Sequence, residues 1–412
     1  MAKRRRKSLK KLLLNWKVLL LITFLVGSLA ALAANGLTYG IDIGGGVALV
    51  AKPEKPISGD TVNGIITSLQ NRLNTFGVKD ITIEAQHDPE TGQSLIVVKV
   101  ANVTLEEAKQ IKELIESQGV LYMEFNGVIF ATGAEVSVPS GQWGLDPQKC
   151  PTCWHVGFTL SGKAQENFKM VASGKFGWPV DIFLDPPTNA LIVVSGRAYR
   201  EMNSADFMGN VAQGPLPLPE RLKKAFNDTV IPYTNQSAEE IVSNATKLGK
   251  EGVVLADVPK GLYDGVRGIT LKDGLKLRVL YFTPKPKESM KNFITRILNL
   301  YGPYTLAFDP ALKSPELLEL TGSAATKEAA LAEARRIHSV LRSGSLPVKL
   351  EVTGWRVLES TQSTESQSPS KTSPGTKAKS STAATASKAG KTICGPGFLL
   401  PLALVVPLLK RR

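Results

Sequence analysis

Cysteine and histidine are scarce, with three of each in 412 residues. Two of the cysteines form Cys150-Pro151-Thr152-Cys153 and no second pair accompanies them, so the four ligands of a structural zinc site cannot be collected from paired motifs. His87, His155 and His338 are scattered. No nucleophile with a base and no metal cluster can be assembled, and Gly44-Gly45-Gly46 lacks the lysine and spacing of a phosphate loop. The expectation is a protein without enzymatic activity, cofactor or metal. The middle of the chain also lacks net charge. The formal charge is +14, but residues 1–17 carry eight Lys/Arg and no acid, and residues 361–412 carry eight and one. What remains is 34 basic side chains (50 less 16) against 35 acidic (36 less 1). A neutral middle offers no polyanion-binding face, so no nucleic-acid partner is expected.

Hydrophobic content is 43%, enough for two or three domains at roughly 150 residues each. The first charge-free stretch, Val18 to Ala34, follows Lys3, Arg4, Arg5, Arg6, Lys7, Lys10, Lys11 and Lys17. A slightly extended helix of that run spans the roughly 30 Å hydrocarbon core, and the basic flank keeps its start in the cytoplasm. That predicts a cell-membrane protein with most of its chain outside. Ala31-Leu32-Ala33-Ala34 resembles a signal-peptidase site, which leaves cleavage as the alternative to a retained anchor. Outside the cytoplasm, Cys150 and Cys153 read as a loop disulfide; a redox or metal role is the other reading, but Trp154 opens a strand-like run and not a helix. Four Asn-x-Ser/Thr sequons, at Asn102, Asn227, Asn235 and Asn244, suit an outside location.

Periodicity then sets out an α+β chain. Val47 to Ala51 reads as a strand. Ser58 precedes a helix with Val62, Ile65, Ile66, Leu69, Leu73 and Phe76 on one face and Gly77 as its stop. Strands follow at Ile81 to Gln86 and Leu95 to Val100. Thr104 and Glu107 make a capping box for a second helix, and Val120 to Phe125 closes a βαββαβ order of ferredoxin-like type. After a Gly/Pro-rich loop come a strand at Trp154 to Leu160, a helix capped by Ser161, and strands at Val180 to Leu184 and Ala190 to Ser195. Further helices are predicted at Glu220 to Phe226, Ala238 to Leu248, Lys287 to Leu300 and Thr326 to Arg342, with strands at Leu277 to Phe282, Tyr304 to Phe308 and Leu346 to Val352. The expected divisions are a basic segment 1–17, an anchor 18–36, a base 37–125, an inserted head 126–344, a closing base strand 345–356, a Ser/Thr-rich disordered stalk 357–393 and a C-terminal signal 394–412. The last contains Cys394-Gly395-Pro396 and a twelve-residue apolar run, Phe398 to Leu409, too short to span comfortably.

Two separated stretches resemble the SecD subunit of the Sec protein-export machinery. Tyr39-Gly40-Ile41-Asp42-Ile43-Gly44-Gly45-Gly46 resembles the family signature after its first transmembrane helix. Leu341-Arg342-Ser343-Gly344-Ser345-Leu346-Pro347 resembles the one closing its large external domain. Between them, Asn71 to Val78, Phe158-Thr159-Leu160 and Asp181-Ile182-Phe183-Leu184-Asp185 resemble further family segments, so the likeness covers about residues 12 to 355. It implies a ferredoxin-like base with an inserted head, and an accessory subunit that works with SecF and the Sec channel to capture emerging preproteins. The family's later transmembrane helices, with their proton-coupling residue, have no counterpart in this sequence. The end resembles archaeal Cys-Gly-Pro surface-sorting signals, which implies processing or lipid attachment at Cys394. The alternative function is a membrane-anchored surface binding module that keeps the fold without export. Asp42 has two readings: a carboxylate capping its own turn, or, by the resemblance, a functionally sensitive residue.

Overall fold

The computed structural model describes residues 16–35, 45–87, 93–209, 211, 214–307, 309–310 and 317–358, with backbone alone for 29–35. The first element, α1 (Trp16–Asn35), contains no acid and a single cation, Lys17, and Leu19, Leu20, Leu21, Phe24, Leu25 and Val26 are exposed. Counting residues whose side chains are described, no helix is long and apolar enough to cross a membrane.

The base begins with β1 (Gly46–Pro53), α2 (Gly59–Phe76), β2 (Ile81–His87), β3 (Ser94–Ala101) and α3 (Leu105–Glu116). In β1, Val47, Leu49 and Ala51 alternate inward as the strand period requires. They meet Ile65, Leu69, Leu73 and Phe76 of α2 and Ile111, Leu114 and Ile115 of α3 in one core. Gly77, at φ 89°, ends α2; Thr104 and Glu107 form the capping box that starts α3. Ser58 stands at the N-cap of α2 without bonding its backbone; its hydroxyl meets that of Thr61 at 3.0 Å.

The next strand departs from the sequence expectation. Following α3 come β4 (Leu121–Phe125), β5 (Val128–Thr132), β6 (Val136–Ser137), β7 (Trp143–Leu145), β8 (Cys153–Leu160), α4 (Gly162–Ala172) and β9 (Pro179–Leu184). β4 does not close the base sheet: it pairs with β5 and β9. The vacant place is taken by the last strand described. Between them run β10 (Ala190–Val194), α5 (Gly196–Met202), α6 (Leu218–Phe226), β11 (Thr229–Pro232), α7 (Ala238–Lys247), β12 (Gly252–Ala256), α8 (Lys260–Lys272), β13 (Arg278–Phe282), α9 (Met290–Ile297), β14 (Leu300–Thr305), β15 (Leu318–Ser323), α10 (Lys327–Ser343) and β16 (Leu350–Leu358). The base sheet has the order β16-β1-β3-β2, antiparallel throughout. Local pattern fixes that a strand forms at 121–125; which sheet it joins depends on partners far away in sequence.

Three more four-stranded sheets complete the described residues: β14-β9-β4-β5, β15-β8-β6 with β7 beside β8, and a parallel sheet β11-β10-β12-β13. β9 and β10, five residues apart, belong to different sheets. The parallel sheet is covered on both faces, by a core containing Phe207, Leu222 and Phe293 on one side and Ile241, Leu262 and Val266 on the other. Burial on both faces explains why β10 and β12 are continuous apolar runs and not alternating ones.

Candidate functional site: a cleft beside an open strand edge

Several family-like stretches converge on one buried arginine. Arg72, in α2, is fully buried. Its Nη1 donates to the carbonyls of Leu114 (3.0 Å) and Ser117, its Nη2 to those of Gly344 (2.9 Å) and Gln118 (3.3 Å), and its Nε to Ser343 Oγ (3.0 Å). Burial lowers its pKa to about 10, opposed by the nearby Asp185. The carboxylate of Asp185 accepts from Ser117 Oγ (2.7 Å) and from the backbone N–H of Gly119 (3.0 Å) and Val120 (2.7 Å). The 117–120 turn is thus gripped from both sides. Leu341 and Ser343 lie in the last turn of α10, Gly344 stops it, and Leu346 is buried and donates its N–H to Gln118 O at 2.7 Å. Arg342 and Pro347 are exposed. In this half of the pattern the residues join elements and present no reactive group.

Of the earlier stretch, Tyr39, Gly40, Asp42 and Gly44 lie outside the described residues, as does Cys394. Gly45 and Gly46 lie within them. The Gly45 carbonyl accepts from Asn102 N at 3.1 Å. A Cβ on Gly46 would stand 2.1 Å from Val100 O, so the close approach of β1 to β3 requires glycine there. Cys150 and Cys153 are joined by a disulfide with Cα atoms 5.0 Å apart, Cys153 being the first residue of β8.

Next to the gripped turn opens a cleft of about 800 Å³. Its walls come from the base (Glu54, Glu113, Glu116, Lys349, Glu351), from Asp185 and Tyr301, from Arg336 of α10, and from β13. One exposed ion pair, Arg278 Nη1 to Glu54 Oε1 at 3.4 Å, crosses it. Burial, with Arg278 close by, lowers the pKa of Lys349. Burial works against the Arg336 charge as well, but Glu333 and the Tyr301 hydroxyl more than offset it, and its pKa is raised. β13 is the terminal strand of the parallel sheet. Arg278 N donates to Glu251 O (3.0 Å) and Phe282 O accepts from Asp257 N (2.9 Å), so residues 278, 280 and 282 turn their backbone groups toward β12. By alternation Val279 and Tyr281 turn theirs outward, where no described strand pairs with them.

Over 349 residues the chain is 69% identical to the protein-export membrane protein SecD of Thermococcus gammatolerans, a match covering 84% of this chain and 66% of that protein. The chain belongs to the SecD family. The SecD of Methanothermobacter thermautotrophicus is 29% identical over 180 residues, 43% of this chain and 41% of that one. The chain therefore spans just under two thirds of the first SecD and about two fifths of the second. A crystal structure of SecDF in its super-membrane-facing form superposes with a TM-score of 0.38 at 16% identity, covering 78% of this chain and 31% of that one, too loosely to decide anything. No protein-family model matches.

In this SecD-family chain the sequence patterns point to the junction around Arg72 and not to the open edge. Nothing in Arg278-Val279-Leu280-Tyr281-Phe282 marks it as an edge; that follows only from the strand order. Arg72 and Asp185 both sit inside stretches that resemble the family, yet their function as clamps needs the fold. A visible signal existed for two other buried groups, since Glu124 and Asp181 each interrupt an apolar strand.

Proposed function

We propose that the chain is an accessory subunit of the Sec translocase that holds polypeptide emerging on the external side of the membrane, and that the cleft beside β13 is where it is held. The single observation that carries this is the outward-facing backbone of Val279 in a strand that walls the cleft of about 800 Å³, with Tyr281 next along the same open edge. An extended chain can add to such an edge through main-chain hydrogen bonds, which read no sequence and so suit varied clients. On this reading α1 is the anchor, its basic flank lies in the cytoplasm, residues beyond it are external, and SecF and the Sec channel are the partners. The protein is not an enzyme. The base is ferredoxin-like, with β16 as its fourth strand and the head inserted between α3 and β16; the all-antiparallel order β16-β1-β3-β2 supports this. A second reading, a surface binding module without an export role, is favoured by the Ser/Thr-rich stretch ending in Cys394-Gly395-Pro396.

The test is site-specific photocrosslinking from positions 279 and 280 of the full chain to a translocating polypeptide arrested in native membranes. Crosslinks are expected from the wild type. Val279→Pro removes one outward N–H and blocks strand addition, and an edge tolerates proline, so the variant with the probe at position 280 should fold and lose that crosslink. An unchanged yield in folded Val279→Pro would rule out strand addition.

A further inference from the structure

The parallel-sheet module meets the β14-β9-β4-β5 sheet across an apolar seam with one exception. Along β4, Leu121, Met123 and Phe125 enter the large core, whereas Tyr122 packs into the module's core with Phe183 of β9. Glu124 shares the Tyr122 face and Asp181 the Phe183 face, and the two are direct partners in the antiparallel register. Both are fully buried. Arg221, from α6 of the module, is the cation that faces them. Its Nη1 lies 2.8 Å from Asp181 Oδ2 and 4.0 Å from Glu124 Oε2, and its Nη2 donates to Phe207 O at 2.7 Å. The Gly127 N–H donates to Glu124 Oε1.

The other elements packed there add no charge to the pair. The turn at 205–207 contributes the Phe207 carbonyl, while its exposed Asp206 interacts with Glu201. Lys224 of α6 lays its aliphatic carbons over Gly127. Two carboxylates and one guanidinium, all ionised, would leave a net negative charge buried without compensation, which costs several kcal/mol in a low-dielectric interior. One proton removes that charge: Glu124 Oε2 and both Asp181 oxygens are buried without a hydrogen-bond partner, so a Glu124 acid O–H can donate to the Asp181 carboxylate, which keeps its ion-pair contact with Arg221.

We propose that Glu124 and Asp181 form a proton-binding site built into this seam, and that the bound proton fastens the parallel-sheet module to the β4–β9 sheet. Burial, then the neighbouring Asp181, raises the Glu124 pKa to about 8, and burial raises that of Asp181 also. Release of the proton leaves the excess charge in the seam, and the relief available is movement of α6 to admit water. β13 belongs to the fastened module. Where the cleft holds polypeptide, a clause that rests on the function proposed above, its width follows the proton.

The experiment uses the full chain in lipid nanodiscs and no polypeptide, so it fails or succeeds independently of the export reading. Because Asp228 is a second buried carboxyl with a pKa raised to about 8, the spectra are taken in an Asp228→Asn background, where infrared should show a protonated carboxyl at about pH 6 that disappears by about pH 9 and is missing when Glu124→Gln is added. Hydrogen exchange across 218–226, corrected for its intrinsic pH dependence, should rise about tenfold per pH unit above the transition in the wild type and stay flat in Glu124→Gln. Asp181→Asn leaves one carboxylate for one guanidinium, so its carboxyl band should titrate well below neutral pH. This holds the test open if Glu124→Gln does not fold. No protonated carboxyl near neutral pH, equal exchange in wild type and Glu124→Gln, or an unshifted band in Asp181→Asn would each overturn the proposal.

Discussion

Arg72 shows how one side chain can join an entire fold. Its five hydrogen bonds tie α2 to the end of α3 and the end of α10. Arg72→Met keeps much of the volume but strands several buried carbonyls, so it should destabilise by on the order of 3 kcal/mol or more, read from denaturant midpoints at constant slope. Gly119 presses against the same guanidinium: at φ 81°, a Cβ there would stand 2.9 Å from Arg72 Nη2 and 2.8 Å from Val340 Cγ1. Asp228 is a different case. It is buried, accepts from Ala190 N at 2.8 Å, and burial raises its pKa to about 8 from the ordinary 3.8. A carboxyl that holds its proton more tightly when folded contributes stability that is complete below about pH 4 and is lost as pH rises through about 8. Asp228→Asn should therefore flatten the decline of unfolding stability across that window, measured by urea titration at a series of pH values. Three sequon asparagines, Asn102, Asn227 and Asn235, sit at φ 54°, 56° and 69°, a region asparagine tolerates better than most residues, so their identity has a backbone reason apart from any glycan.

At the level of elements, legibility followed periodicity. α2, α3 and α10 were readable because each carries a helical apolar stripe between clear start and stop residues. β12 and α8 were not. Gly252-Val253-Val254-Leu255-Ala256 is a short apolar run without alternation, and α8 begins after Pro259 and contains Gly261, Gly265 and Gly268, a composition that argues for a loop. The predicted helix from 287 to 300 is shorter in the structure, because β14 begins at Leu300 and pairs with β9. The closing strand expected at 346–352 instead runs from Leu350 to Leu358. The cysteine-bearing loop yields a stability prediction of its own. A bridge between residues three apart restricts the unfolded chain little, so replacing Cys150 and Cys153 by serine should cost no more than about 2 kcal/mol by chain entropy, checked by denaturant unfolding of the full chain.

For the whole molecule, charge is divided by region, with eight cations and no acid in residues 1–17 and a middle close to neutral, so on the proposed reading the basic start is the part that meets the membrane surface. The junction around Arg72 was legible only as a family likeness, and the cleft beside it was not legible at all. The open edge of that cleft arises from strand order, which is a property of the assembled fold. Affinity capture of the tagged full chain from gently solubilised native membranes should bring down SecF and Sec channel subunits; their absence, with Cys394 found modified by mass spectrometry, would favour the surface module. Only one exposed ion pair, Arg278 to Glu54, crosses the cleft among the described residues that line it, and pairs of that kind contribute roughly 0–1 kcal/mol. Arg278→Gln should leave the unfolding midpoint nearly unchanged.

The pairing of β1 with β16 has a mechanical side. Gly46, where the body begins, lies opposite Leu358, the last residue described, and the two strands run antiparallel from that end. Tension applied to both ends would load this ladder one rung at a time, as a zipper is opened, and not across all its rungs together. The base would yield to a modest pull from its attachment side while the same ladder resisted a sideways load far better, so the body is soft along the direction in which its own chain would tug it.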